Sequence, residues 1–213
     1  MQSKTTLTPD ARLRIRQTFI DMCLRRQRKG TGSSKQFLEK RTTDMQWPDL
    51  NPTLNSIDWA VVGGVATRLY MPERITKDLD VIVAMADARL VRNTLQAAGY
   101  IYQGELTIAG SSWITPTEIA IDVLEGQESW WPQALKEAQK NLDGQKLPII
   151  PLSYLVLMKL AASRSQDMGD ISRLLGLASE VQIEKVRRVF KRYAPADMED
   201  LESMIELGRL EFG

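Results

Sequence analysis

Residues 59–84 read WAVVGGVATRLYMPERITKDLDVIVA, and the reading of this stretch decides the fold. Ala60–Val62 has the composition of a short buried strand. It runs into Gly63 and Gly64, where missing Cβ atoms let backbone N–H groups come close to an anion such as a phosphate. Val65–Tyr70 then reads as a short helix whose N-terminus faces the same anion. The second apolar run enters as Asp78-Leu79-Asp80 and continues through Val81, Ile82 and Val83. Strand alternation puts Asp78 and Asp80 on one face and Leu79, Val81 and Val83 on the other. Two carboxylates that close repel unless a cation sits between them, and Mg²⁺ would meet both them and the phosphates beside the Gly pair.

Composition narrows the chemistry further. At 213 residues the chain has room for one well-buried domain, or a catalytic domain with a helical appendage. Its 43% hydrophobic and 26% charged residues are those of an ordinary globular protein. No apolar run approaches the ~20 residues of a membrane span and the N-terminus lacks a signal peptide's apolar core, so the expected location is the cytoplasm. The single Cys23 cannot form an internal disulfide, in agreement with a reducing compartment. Histidine is absent, which excludes Ser-His-Asp and Cys-His catalysis and a His-ligated zinc. Carboxylates, Lys, Arg, hydroxyls and a hard metal remain, a set suited to phosphoryl or nucleotidyl transfer. A net charge of +1 confines any nucleic-acid contact to a local patch.

Outward from the central stretch, Pro9–Lys29 is amphipathic at helical spacing, with Arg12, Arg14, Arg16, Arg25, Arg26, Arg28 and Lys29 against only Asp10 and Asp21. Such a basic helix meets RNA phosphates, another subunit, or water. Residues 30–34 read as a flexible link and 35–43 as a short helical turn, before a loop around Trp47, Pro48 and Pro52. Ala86–Ala98 is a helix stopped by Gly99, and two strands, Tyr100–Ile108 and Ser111–Ile114, flank Ala109-Gly110.

In Glu118–Leu124 (EIAIDVL), alternation sets Asp122 opposite Ile121 and Val123. It is either a strand-end carboxylate facing water or a carboxylate that needs a metal partner. Trp130 and Trp131 either pack a helix, Gln133–Asn141, onto the sheet or offer a stacking platform to a base. Leu147–Pro151 reads as a short strand. Lys159 stands inside the apolar helix Leu152–Arg164, and either snorkels to the surface or points into a cleft as a phosphate ligand. From Leu174 to Gly213 the pattern is helical, interrupted at Pro195.

The arrangement GG-x-A followed by R-x-T-x-D-L-D and aliphatic residues resembles the nucleotidyltransferase superfamily related to DNA polymerase β. Within it, the chain is most similar to small bacterial nucleotidyltransferases of the abortive-infection AbiEii toxin type. The resemblance spans about residues 57–175. It implies an α/β (α+β) fold: a mixed, largely antiparallel sheet flanked by helices, with a helical C-terminal half. Residues 1–50 would form the basic helix and linker, 51–150 the catalytic core, and 151–213 a helical region completing the cleft. It also implies transfer of a nucleoside monophosphate from an NTP such as ATP to a hydroxyl acceptor, with Mg²⁺ or Mn²⁺ held by Asp78, Asp80 and Asp122. Gly63, Gly64, Arg68, Arg74, Thr76, Lys159 and Asp167 would meet the nucleotide, with Asp170 competing for the last role. Toxin-like relatives suggest tRNA as the acceptor and an antitoxin protein as partner. The alternatives are a noncatalytic nucleotide sensor or structural, partner-binding protein of the same fold, and a modifier of a small cationic antibiotic held by Glu105, Glu118, Glu125 and Glu128.

Overall fold

The structure, a computed structural model, describes residues 8–26, 46–72 and 76–212. The expected link at 30–34, the turn at 35–43, Arg28, Lys29 and Arg74 lie outside the described residues. Helix α1 (Pro9–Arg26) belongs with the C-terminal helices, in a second compact unit taken up below.

The unit within residues 35–155 is built on a five-stranded sheet. Strand β1 (Trp59–Val61) leads into helix α2 (Gly63–Ala66) and a 3₁₀ turn (Thr67–Leu69). After β2 (Asp78–Ala84) come α3 (Ala88–Ala97), β3 (Ile101–Glu105), β4 (Gly110–Ile114), β5 (Ala120–Gly126) and α4 (Trp131–Ala138). The strand order is β1-β2-β5-β4-β3. Only β2 and β5 run parallel, because α3 and the β3–β4 hairpin intervene between them; the other three pairings are antiparallel. The sheet is therefore mixed and largely antiparallel, as expected.

Leu79, Val81, Val83, Ile121 and Val123 are fully buried on one sheet face, the alternation read from the sequence. Helix α3 lies on that face: Val91 and Leu95 are buried, and Arg92 binds Glu125 of β5 and Glu105 of β3. It stops where Gly99 takes φ +83° and Tyr100 N–H donates to the Leu95 carbonyl. Trp131 starts α4, two residues earlier than expected, and its indole N–H donates to the Val83 carbonyl at 2.9 Å. Trp130 stacks on Tyr154 with ring centroids 5.7 Å apart. Both tryptophans are buried, so neither offers a platform to a base.

Two expectations in this unit are corrected. The Gly pair does not precede its helix but forms the helix's first turn. The strand expected at Leu147–Pro151 is reduced to isolated bridges, Val61 with Ile149 and Leu142 with Pro148. Pro148 and Pro151 lack N–H donors, so a longer ladder cannot form there.

The second unit holds α1, most of α5 (Leu152–Ala162), α6 (Ser165–Leu177), α7 (Glu180–Tyr193) and α8 (Met198–Phe212). A single helix over Leu152–Arg164 was expected. It ends at Ala162, and Arg164 is the extended residue that starts α6. Ser179 and Gln182 form a capping box at the head of α7, and Pro195 opens the 3₁₀ turn between α7 and α8. Helices α6 and α8 touch backbone to backbone: a Cβ on Gly208 would lie 2.4 Å from the Ser172 carbonyl oxygen and 2.6 Å from Gly176 N.

Arg16 anchors α1. It is buried and donates to Asp200 (2.6 Å), Asp197 (2.5 Å), the Leu160 carbonyl (3.2 Å) and Ser163 Oγ (3.4 Å). This corrects the uniform basic helix, since Arg16 faces inward. Arg12, Arg14, Arg25 and Arg26 are exposed.

Candidate active site

The sheet face opposite α3 carries the carboxylates. Parallel pairing sets Asp80 beside Asp122, and Asp78, two residues before Asp80, lies on the same face. One carboxylate oxygen from each of the three comes within 4.8 Å of the others, and all three residues are half-buried. Three hard oxygen donors at that spacing suit a Mg²⁺ or Mn²⁺ ion and are ill suited to a soft metal. Thr76 Oγ1 donates to Asp78 Oδ1 at 2.9 Å, so Thr76 orients one carboxylate.

Gly63 has a sharper role than its sequence suggests. Its φ is +62°, and a Cβ there would lie 1.8 Å from Asp80 Oδ2. The space freed by the missing side chain is occupied by the Asp80 carboxylate rather than left for a phosphate. Gly64 is buried in α2, with its carbonyl accepting from Thr67 Oγ1 at 2.7 Å.

Arg68 binds Asp143. Its Nε donates to Asp143 Oδ2 at 2.7 Å, and Asp143 also accepts from Gln145 N and Leu147 N. The arginine thereby ties the turn after β1 to the loop after α4. Nearby, burial pushes the Tyr70 hydroxyl up to about 12, against a lowering by its hydrogen bond with Asn141.

Lys159 lies in the second unit, with partners other than the phosphate expected. It is 3% exposed, which rules out snorkelling, and it donates to Asp170 at 2.7 Å and Asp167 at 3.2 Å. Asp167 also accepts from Arg164 at 2.6 Å. Buried charges need such partners, and within this unit the three residues brace α5 against α6.

The acidic set expected for a cationic drug is dispersed. Glu105 and Glu125 both bind Arg92 on the opposite sheet face from Asp122. Hydrogen bonds from Arg92 and Tyr102 hold the Glu105 carboxyl down at about 2.

Ser112 escaped the sequence reading. It pairs directly with Asp122 across β4 and β5, on the face of the three carboxylates. The alternation in Gly110–Ile114 (GSSWI) sets Ser112 against the buried Ser111 and Trp113, but its neighbour is visible only once the strands are paired.

No family model and no curated protein matches the chain. Solved structures similar to it include ANT(2″)-Ia in complex with adenylyl-2″-tobramycin, at 14% identity and TM-score 0.44 over 73% of this chain and 88% of that one. A candidate nucleotidyltransferase of Thermotoga maritima, TM1012, is similar at 13% identity and TM-score 0.40 over 82% and 98%. A CCA-adding enzyme with CTP is similar at 11% identity and TM-score 0.35 over 72% and 44%. At such TM-scores these likenesses assign neither family nor substrate.

Proposed function

We propose that the chain is a metal-dependent nucleotidyltransferase, moving a nucleoside monophosphate from an NTP to a hydroxyl. The observation that carries this reading is the convergence of Asp78, Asp80 and Asp122, with Gly63 shaped to admit Asp80. Asp78, Asp80 and Asp122 are the proposed ligands, and bound Mg²⁺ or Mn²⁺ supplies charge stabilisation to the attacking and leaving oxygens. Thr76 fixes the rotamer of Asp78. The backbone N–H groups of the Gly63-Gly64 turn, rather than the side-chain space that Asp80 fills, are the proposed seat of the triphosphate. Asp122 takes the proton of the acceptor hydroxyl as its oxygen bonds the α-phosphorus. The bond from that phosphorus to the bridging oxygen breaks, and pyrophosphate leaves with the electron pair.

RNA, including tRNA, is the proposed acceptor class. The support is four exposed arginines on α1 and the diversion of Glu105 and Glu125 to Arg92, which removes half of the acidic set a cationic drug would need. The toxin-like reading adds an antitoxin partner, and expects growth arrest on expression of the wild type but not of Asp78→Asn. Replacing Arg12, Arg14, Arg25 and Arg26 with Gln should weaken tRNA binding and lower the salt slope by about one for each phosphate that an arginine had neutralised.

The test of the reaction is a thermal shift with ATP, CTP, GTP and UTP, each with and without Mg²⁺. At least one nucleotide should stabilise the wild type, only with metal, and leave an Asp78→Asn, Asp80→Asn double variant unmoved. If no nucleotide separates the two proteins, the NTP reading fails and a noncatalytic role for the fold replaces it.

A further inference from the structure

The carboxylates end a row that crosses the sheet. At one level along the strands lie Asp80, Asp122, Ser112 and Gly104, each paired in register with the next. Their side chains shrink from carboxylate to hydroxymethyl to hydrogen. A Cβ on Gly104 would meet nothing within 4 Å, so the row slopes away from the carboxylates into open space at the edge strand β3.

The flanking rows on the same face are Asp78, Ala120, Ile114 and Ile101 on one side and Ile82, Leu124 and Gly110 on the other. Ala120, Ile114 and Leu124 are half-buried and Ile101 is 61% exposed. Beyond the three carboxylates these rows carry no charge. Among the described residues of these rows a terminal phosphate finds no cation, and an ammonium finds no further acid. Rows of this character suit a neutral, hydroxyl-bearing end.

Beyond the carboxylates, Ser112 is the one polar side chain among the described residues of these rows. Glu125 N–H donates to the Ala109 carbonyl and Thr115 N–H to the Ile119 carbonyl, so Ser112 and Asp122, between them, form a pair without mutual backbone hydrogen bonds. In such pairs the backbones approach most closely and the Cβ atoms stand ~5 Å apart. The Ser112 hydroxyl, half-buried, makes no hydrogen bond among the described residues. A free donor and acceptor thus stands one side chain from the carboxylate proposed to receive the acceptor's proton.

We infer that Ser112 reads a vicinal diol: the acceptor presents its attacking hydroxyl to Asp122 and the neighbouring hydroxyl to Ser112. Vicinal hydroxyls lie within one hydrogen-bond length of each other, matching two side chains adjacent across a closely spaced strand pair. A ribose 2′,3′ end of RNA and a free polyol share this chemistry. The inference rests on the transferase reading above and adds a specificity residue to it.

The test compares acceptors that differ by one hydroxyl, with the full chain, Mn²⁺ and each labelled NTP. One arm uses an RNA oligonucleotide ending in the 2′,3′-diol, in 2′-deoxyribose or in 3′-deoxyribose; the other uses ribose and its monodeoxy forms. In whichever arm transfer occurs, the diol should be preferred over the monodeoxy acceptor that retains the attacking hydroxyl by about threefold to tenfold, the range of one neutral hydrogen bond. Ser112→Ala should bring that ratio to about one. Ser112→Thr, which restores a hydroxyl, should recover it. Anisotropy of the same labelled oligonucleotides without NTP should show the same loss of discrimination in Ser112→Ala, with NTP and Mn²⁺ affinities, measured separately, at wild-type values. An undiminished preference in Ser112→Ala, or no preference in the wild type, overturns the role of Ser112 and leaves the transferase reading standing. Absence of transfer in both arms, with no nucleotide bound, overturns both.

Discussion

Replacing Gly63 with alanine tests the arrangement of the site against a steric limit. The new Cβ would lie 1.8 Å from Asp80 Oδ2, 2.7 Å from its Cγ and 2.9 Å from its Cβ. Relieving that overlap to ordinary contact requires a carboxylate shift of about 2 Å, which takes one of the three oxygens out of the cluster. The φ of +62° adds about 1–2 kcal/mol of backbone cost for any residue with a Cβ. In a protein of this size that is a fall in Tm of about 2–8 °C. Displacement of a ligand should weaken divalent-ion binding about tenfold or more. Calorimetric titration with Mn²⁺, beside a thermal melt, reads both effects. Gly169→Ala serves as the control: it lies in α6 with nothing within 4 Å of its Cβ position, and should gain about 0.5–1 kcal/mol with Mn²⁺ binding unchanged. A Gly63→Ala protein that binds Mn²⁺ as tightly as the wild type would refute the placement of Asp80 against Gly63.

Other consequences follow from the packing and the charges. Arg16→Ala leaves Asp200 buried without its partner and should cost about 3–5 kcal/mol in urea unfolding, whereas a loss below about 1 kcal/mol would contradict the anchoring of α1. Gly208→Ala drives a Cβ to 2.4 Å from the Ser172 carbonyl and should destabilise the α6–α8 crossing by about 1–3 kcal/mol, seen as a lowered Tm. Arg92 holds the Glu105 carboxyl below its usual range, so its stabilising contribution is complete above pH 4.5 and is lost as the pH falls through about 2. An NMR titration should place the Glu105 midpoint near 2, and Arg92→Gln should return it toward 4.5.

Much of the site was legible because its signal is local. The alternation at Asp78-Leu79-Asp80 and at Ile121-Asp122-Val123 needs only the two-residue period of a strand, and it correctly separates carboxylates from core. The register that puts Asp122 beside Asp80 is a non-local fact, set by a parallel pairing across α3 and a hairpin. Ser112 was hidden for the same reason. Lys159 stood out as a charge in an apolar helix, but nothing local shows that Asp167 and Asp170 turn toward it from the next helix. Arg16 looked like one of seven surface cations, since Asp197 and Asp200 lie 181 and 184 residues further along. Gly63 was singled out for its missing side chain, while the group that fills the space, the Asp80 carboxylate, comes from another strand.

The central claim is that three carboxylates on one sheet face hold the metal that drives nucleotidyl transfer. Its most direct test incubates the full chain with α-labelled NTPs, Mn²⁺ and total cellular RNA, and follows label transferred to RNA together with pyrophosphate released. The account predicts equal amounts of both products with the wild type, neither product with EDTA, and loss of both in Asp122→Asn with its melting transition retained. Label transfer by Asp122→Asn at the wild-type rate, or wild-type transfer that persists in EDTA, would contradict it.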